Sequence, residues 1–225
     1  MIILDNKIQM IKNSLYTFDY FQPEEYHFSL DSVFLAQKVA KIIQENTLHE
    51  MKVLDLCSGC GVIGLELSLH TPKELTIDFL EVQEIYESFF HKNVELVYPQ
   101  MNKSIDQYRF IKNNYETLLE PRFENLYDLI ICNPPYFFKG EGLLSPSEFK
   151  NRCRFFLDSD FKTLIKAILA ALKPNCNAYI LVRPGDNHGR NPIEEITHLL
   201  DVFATAQVID NIRGTNIVEI RKKIV

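Results

Sequence analysis

Along the chain, short apolar runs alternate with stretches whose apolar residues recur every three or four positions. Met51–Leu56 (MKVLDL) reads as a buried strand, and Val62–His70 (VIGLELSLH) as a helix opening just past a glycine loop. Leu75–Leu80 reads as a second strand and Ile85–Leu96 as a helix. Arg109–Lys112 and Tyr127–Cys132 supply a third and fourth strand. Phe161–Leu172 has helical periodicity, with Pro174 as its stop. Ala178–Val182 is a fifth strand and Ile193–Phe203 a helix. Ala206–Ile209 and Ile217–Ile220, joined by a short connection containing Gly214, read as an antiparallel closing pair.

Strands alternating with helices predict an α/β domain: a mostly parallel sheet covered by helices on both faces. Ahead of this pattern lie an aromatic-rich stretch, Tyr16–Phe28, and a helix from about Ser32 to Gln44, capped by Ser29 or Asp31. The expected organisation is an N-terminal extension over 1–45 packed on a core domain over 46–225. Residues 136–160 are the one long region without clear periodicity, and such loops in compact domains tend to be functional.

At 225 residues the chain suffices for one full α/β domain. Its apolar fraction of 46% and charged fraction of 24% exclude disordered and collagen-like classes. No apolar run approaches the ~20 residues that span a bilayer, and the N-terminus lacks the pattern of a secretory signal. A cytoplasmic protein is expected. Five cysteines at scattered spacing do not form a disulfide framework, and Cys57-x-x-Cys60 lacks a second ligand pair, so no metal is expected.

The net charge of −6 argues against broad nucleic-acid binding, but its distribution is uneven. Residues 1–135 hold 11 basic and 20 acidic side chains, whereas residues 136–190 hold nine and five. The basic segment begins at the motif Asn133-Pro134-Pro135-Tyr136. It is either an ordinary solvated face or a substrate-facing patch.

Two motifs carry chemistry. Asp55-Leu56-Cys57-Ser58-Gly59-Cys60-Gly61 joins a strand to a helix, and Gly59, Gly61 and Gly64 satisfy the G-x-G-x-x-G spacing that lets backbone approach a ligand. Glu81 ends the next strand, placed to bind a ribose diol of either a nicotinamide cofactor or S-adenosylmethionine. Asp55 favours the latter: a carboxylate there faces a pyrophosphate badly but suits sulfonium and ammonium charges, directly or through water.

Asn133-Pro134-Pro135-Tyr136 follows the fourth strand. Two prolines stiffen the backbone and remove N–H donors, leaving the Asn133 side-chain oxygen and the Pro134 carbonyl as acceptors. Two fixed acceptors can hold both hydrogens of a planar –NH2 and turn its lone pair toward a methyl donor, with Tyr136 as a stacking face.

Together these residues resemble the class I S-adenosylmethionine-dependent methyltransferases, in the branch with the Asn-Pro-Pro-Tyr signature. The likeness is to the bacterial tRNA1(Val) N6-adenine methyltransferase family. It is carried by Tyr26–Ala36, Val53–Gly64, Ile131–Tyr136, Ser145-Pro146, Arg152-Cys153-Arg154 and Leu157-Asp158. The resemblance implies a Rossmann-like sheet of seven strands with an antiparallel last strand, and methylation of an adenine in a tRNA loop. It implies that Asp31, Asp55, Ser58, Gly59, Gly61 and Glu81 bind S-adenosylmethionine. Asn133, Pro134 and Tyr136 would take the base, and Arg154 a phosphate.

Two departures stand out. Cys57 replaces the more usual first glycine, which the backbone tolerates at negative φ. Asn114 stands where an acid often binds the donor's adenine amino group, and its carbonyl could substitute. Alternatives are a release-factor glutamine methyltransferase, a ribosomal RNA guanine-N2 methyltransferase, a noncatalytic module on the same scaffold and, weakest, a nicotinamide oxidoreductase. The oligomeric state is left open.

Overall fold

The computed structural model describes residues 18–45, 47–101, 104–138, 140–184 and 190–224. The first part of the expected N-terminal extension, up to residue 17, lies outside the described residues. Helix α1 (Leu30–Gln44) is followed by β1 (Glu50–Leu56), α2 (Val62–His70), β2 (Glu74–Glu81), α3 (Ile85–Val97), β3 (Tyr108–Lys112) and β4 (Tyr127–Cys132). Then come α4 (Glu148–Arg154), α5 (Phe161–Ala171), β5 (Leu172–Val182), α6 (Pro192–Leu200), β6 (Ala204–Ile212) and β7 (Thr215–Lys222).

The strands form one seven-stranded sheet in the order β3-β2-β1-β4-β5-β7-β6. Neighbours from β3 through β5 pair in parallel, and β7 runs antiparallel to both β5 and β6. The expected reversed last strand is thus present, inserted between β5 and β6. Its hairpin turns on Arg213 and Gly214, both at positive φ (51° and 89°), which matches the twist of the flanking strands.

Each face of the sheet carries its own core. On one face α1, α2 and α3 pack on Val53, Ile77, Phe79, Ile131 and Tyr179. On the other, α5 and α6 pack on Leu54, Leu56, Ile130, Ile180 and Val218. Burial on both faces is why the central strands read as unbroken apolar runs. Helix α2 is buried over Val62–Ser68, because α1 and Tyr20 cover the side a surface helix would expose. Its Glu66 is fully buried, held by the Tyr20 hydroxyl (2.7 Å) and His70 (2.9 Å).

Three expectations are corrected. Helix α4, capped by the Ser147 hydroxyl on the Lys150 N–H (3.2 Å), was absent from the sequence reading, because seven residues are too few to show a period. Helix α5 stops at Ala171, and Pro174 lies inside β5. Tyr127 pairs with Leu172 and Leu129 with Asn177, so Pro174 sits in a bulge where no ladder donor is needed. Ser29 precedes α1 but its side chain makes no cap hydrogen bond.

Among the described residues no helix is long and apolar enough to cross a membrane. None of their His, Cys, Asp and Glu side chains group in threes suited to a metal ion.

Candidate active site

The carboxyl ends of β1, β2, β3, β4 and β5 share one edge of the sheet, and the strand order changes direction between β1 and β4. Open α/β sheets bind ligands at such a switch point. A cavity of about 310 Å3 opens there, at the lower end of the ~300–1,000 Å3 typical of ligand clefts. Of the residues singled out in the sequence, Asp31, Ser58, Gly59, Glu81, Asn114, Asn133, Pro134, Tyr136 and Arg154 all line it. Asp55 and Gly61 do not.

The glycine loop builds one wall. Gly59 and Gly61 have φ of +53° and +84°, conformations glycine adopts without penalty. A Cβ at Gly61 would stand 2.8 Å from Phe90 Cδ2, and one at Gly64 only 2.5 Å from Phe79 Cε1. The third glycine therefore serves helix–strand packing. Cys57 also lies at positive φ, +58°, contrary to the negative φ expected for a residue replacing glycine there. That conformation costs about 1–2 kcal/mol for a residue with a Cβ.

Asp55 is fully buried behind this loop. Its Oδ2 accepts the Gly64 N–H (2.8 Å), satisfying one of the free donors in the first turn of α2, and its Oδ1 has no partner among the described residues. Burial pushes its carboxyl well above the usual range, opposed by the Gly64 N–H and reinforced by nearby Glu81. Asp55 is fully buried and does not itself line the cavity, so the structure shows no direct contact from it to a ligand there. Asp55 instead fixes the loop to the helix.

Glu81 closes the floor. Its Oε2 accepts the Gly59 N–H (2.9 Å) and its Oε1 the Gln83 N–H (2.9 Å). Burial raises its carboxyl pKa, against the lowering effect of these backbone donors. The Ser58 hydroxyl is buried in the same wall without a hydrogen-bond partner among the described residues. Asp31, in the first turn of α1, lies opposite and meets the Thr215 hydroxyl at 3.5 Å.

Asn114 is more committed than its sequence suggests. Its Oδ1 accepts the Glu116 N–H (3.0 Å), capping the 3-10 turn Tyr115–Leu119, and its Nδ2 donates to the Asp158 carbonyl (3.0 Å). The neighbouring Asn113 also lines the cavity, as do Leu157 and Asp158 from the long insert. Segment 152–159, anchored by the Arg152–Asp158 ion pair (2.8 Å), thus walls the cavity opposite the glycine loop.

At the acceptor motif, Asn133 Nδ2 donates to the Ser32 hydroxyl (3.0 Å) and its Oδ1 accepts from the Tyr136 hydroxyl (2.6 Å). Burial raises the Tyr136 pKa, so the hydroxyl stays protonated as that donor. The backbone N–H groups of Tyr136 and Phe137 donate to the Arg154 carbonyl (3.1 and 2.9 Å), tying the motif to the end of α4. Sequence reasoning missed Ser32, Asn113, Arg183 and Asp158. Arg183, at the carboxyl end of β5, stood where a ligand-binding residue is expected in such sheets. Ser32 falls in the Tyr26–Ala36 stretch that carries the resemblance, but its pairing with Asn133, 101 residues away, leaves no local trace.

The geometry agrees with several known proteins. A family model described as "Lysine methyltransferase" matches residues 29–134. The tRNA1(Val) (adenine(37)-N6)-methyltransferase of Tolumonas auensis is 27% identical over 123 residues, covering 55% of this chain and 47% of that protein. The release factor glutamine methyltransferase of Borreliella burgdorferi is 29% identical, over 49% of this chain and 34% of that protein. A solved structure from Methanococcus maripaludis, provisionally assigned to the S-adenosyl-L-methionine-dependent methyltransferases, superposes with a TM-score of 0.58 at 16% identity. It covers 98% of this chain and 92% of that one. This chain has the fold of the S-adenosylmethionine-dependent methyltransferases.

The resemblance drawn from the motifs to the tRNA1(Val) family is therefore met by measured relatives. The chain spans about half the length of the curated relatives it matches. The groups that line the cavity would fit S-adenosylmethionine: the Glu81 carboxylate a ribose diol, the Asp31 carboxylate an ammonium, and the Ser58 hydroxyl, which has no partner among the described residues, a further polar contact.

Proposed function

We propose that the chain transfers a methyl group from S-adenosylmethionine to a planar –NH2, namely N6 of an adenine in tRNA, in the cytoplasm. The observation that supports this most is the placement of Asn133–Tyr136 in one cavity with Glu81 and Ser58, at the carboxyl edge of the sheet.

When bound, the donor supplies an electrophilic methyl. Asp31, Ser58, Gly59 and Glu81 would hold it, with Asp55 and Gly61 shaping the loop from behind. Asn133 Oδ1 and the Pro134 carbonyl accept the two N–H groups of the target. Oδ1 has a second lone pair besides the one facing the Tyr136 hydroxyl, and the Ser32 bond keeps the amide in place. Drawing both hydrogens toward fixed acceptors steers the nitrogen toward tetrahedral geometry and takes its lone pair out of conjugation with the ring, which makes it nucleophilic. The proton leaves after transfer, so catalysis rests on positioning and electrostatics. Tyr136 offers its ring face to the base.

A lysine acceptor, which the matched family description names, fits less well. An ammonium with a pKa near ~10.4 must first lose a proton, and the motif presents neutral acceptors instead of a base. A glutamine amide presents the same two donors as adenine. The basic excess after residue 135 favours the nucleic acid.

The test is methyl transfer from labelled donor to unmodified total tRNA and to a release factor in parallel, with mass spectrometry of the product. N6-methyladenosine is expected. Label appearing only in glutamine overturns the reading. Asn133→Ala should lower turnover by about 10²–10³-fold, as for removal of one transition-state hydrogen-bonding group, while calorimetric donor affinity survives.

A further inference from the structure

Arg152, Arg154 and Arg183 line the cavity and Arg190 lies over the ring of Phe138, and these four arginines divide into two kinds. Arg152 pairs with Asp158 (2.8 Å) and Arg190 with Glu195 (2.6 Å), so their charges are internally neutralised. Arg154 and Arg183 make no ion pair among the described residues. Both instead lie over the ring of Phe137, with guanidinium carbons 5.3 and 5.7 Å from its centroid. Arg183 also covers Tyr136 at 4.8 Å, and Arg154 covers Phe155 at 5.6 Å.

Two like charges gathered on one ring repel each other, and the rings compensate only in part. An anion between or beside them removes the repulsion. The Arg154 carbonyl accepts from the backbone N–H groups of Tyr136 and Phe137, so the main chain that carries this side chain is fixed relative to the motif that would hold the target base. Arg183 is delivered independently, by the end of β5.

We propose that Arg154 and Arg183, gathered at Phe137, form a clamp that binds the phosphodiester adjoining the target nucleoside of a single-stranded or loop RNA. The clamp rests on the RNA reading above and deepens it. Tyr136 takes the base, while the two planar forks take the phosphate oxygens, the geometry for which arginine is suited. A glutamine-bearing protein loop offers no anion fixed at that distance from its amide.

The experiment measures methylation kinetics of unmodified tRNA transcript at several salt concentrations, for the wild type, Arg183→Met, Arg183→Lys and Arg154→Met. Each methionine variant should raise the RNA KM roughly tenfold. Each should also flatten the plot of log KM against log salt by about 0.7 per lost single-strand phosphate contact. Donor affinity and kcat at saturating RNA should stay within about twofold of wild type, an order-of-magnitude bound for a residue that acts in binding alone. Arg183→Lys should restore the salt slope, because it keeps the charge, but regain affinity only in part. If Arg183 merely props Tyr136, Arg183→Met lowers kcat with an unchanged salt slope, and the clamp is overturned. RNA methylated with wild-type KM and slope in both methionine variants overturns the clamp and leaves the RNA reading standing. Transfer to release-factor glutamine with none to RNA overturns both.

Discussion

Adding one methyl group at Gly64 puts the packing role of that glycine to a direct test. Gly64 lies in α2 with ordinary helical φ, so Gly64→Ala gains about 1 kcal/mol of helix propensity. Against this, the new Cβ would stand 2.5 and 2.8 Å from Phe79 Cε1 and Cζ and 3.1 Å from Asp55 Oδ2. Phe79 cannot yield easily, because it is fully buried and packed on Phe90 (ring centroids 4.7 Å) and Tyr108 (6.2 Å). Overpacking of this kind costs about 1–3 kcal/mol. If the helix shifts to relieve it, the Gly64 N–H to Asp55 bond stretches, at about 1.5–3 kcal/mol for a charged acceptor. The sum is a net loss of about 1.5–5 kcal/mol, read as a lower urea midpoint at unchanged slope. Donor affinity should fall as well, since the same movement displaces Ser58 and Gly59. In a Phe79→Leu background the clash is relieved, so Gly64→Ala should cost at least 1 kcal/mol less than in the wild type, the size of coupling seen between touching residues. A Gly64→Ala protein as stable as wild type, or additive costs in the double variant, would refute the packing account.

The other predictions concern the cavity. Ser32→Ala frees one end of the Asn133 amide. It should reduce kcat about 3–10-fold, equivalent to one hydrogen bond of ~1 kcal/mol, with donor affinity unchanged; an unaltered kcat removes Ser32 from the positioning of Asn133. Glu81→Gln sets an amide –NH2 against the N–H of Gly59 or Gln83, where both carboxylate oxygens now accept. Donor affinity should fall at least about tenfold by calorimetry, and equal affinity would rule out a donor contact there. Asp55 has a folded-state pKa raised chiefly by burial, so the folded protein binds its proton more readily than the unfolded chain. Its contribution is most favourable below the ordinary carboxylate pKa of about 3.9 and is lost as pH rises through the higher folded value. Urea denaturation of the wild type and Asp55→Asn across that window should show the variant gaining relative stability with rising pH, and a constant difference would contradict the sign.

What the sequence by itself determined is local and periodic. Runs buried on both faces marked the central strands, a loop of small residues marked the strand-to-helix turn, and two adjacent prolines after Asn133 marked a stiff, acceptor-rich corner. Each of these is set by the conformational preferences of a few consecutive residues, and each appears where it was expected. Boundaries slipped where tertiary pairing overrode local preference, as at β5, which continues through Pro174 because a bulge spares the missing N–H. Short α4 escaped notice because a single cap and two turns leave no periodic trace.

Only the tertiary structure decided how distant residues meet. It laid Ser32 against Asn133 and brought Asp158 of the insert onto Asn114. It also buried Asp55 against the first turn of α2, and forced Cys57 to positive φ. In the sequence Arg154 stands out only through the resemblance, and Arg183 looks like one among many charges. In the fold, Arg152 and Arg190 find carboxylates while these two share a ring at the mouth of the cavity. Charge pairing depends on distances across elements, and no period or spacing along the chain encodes those.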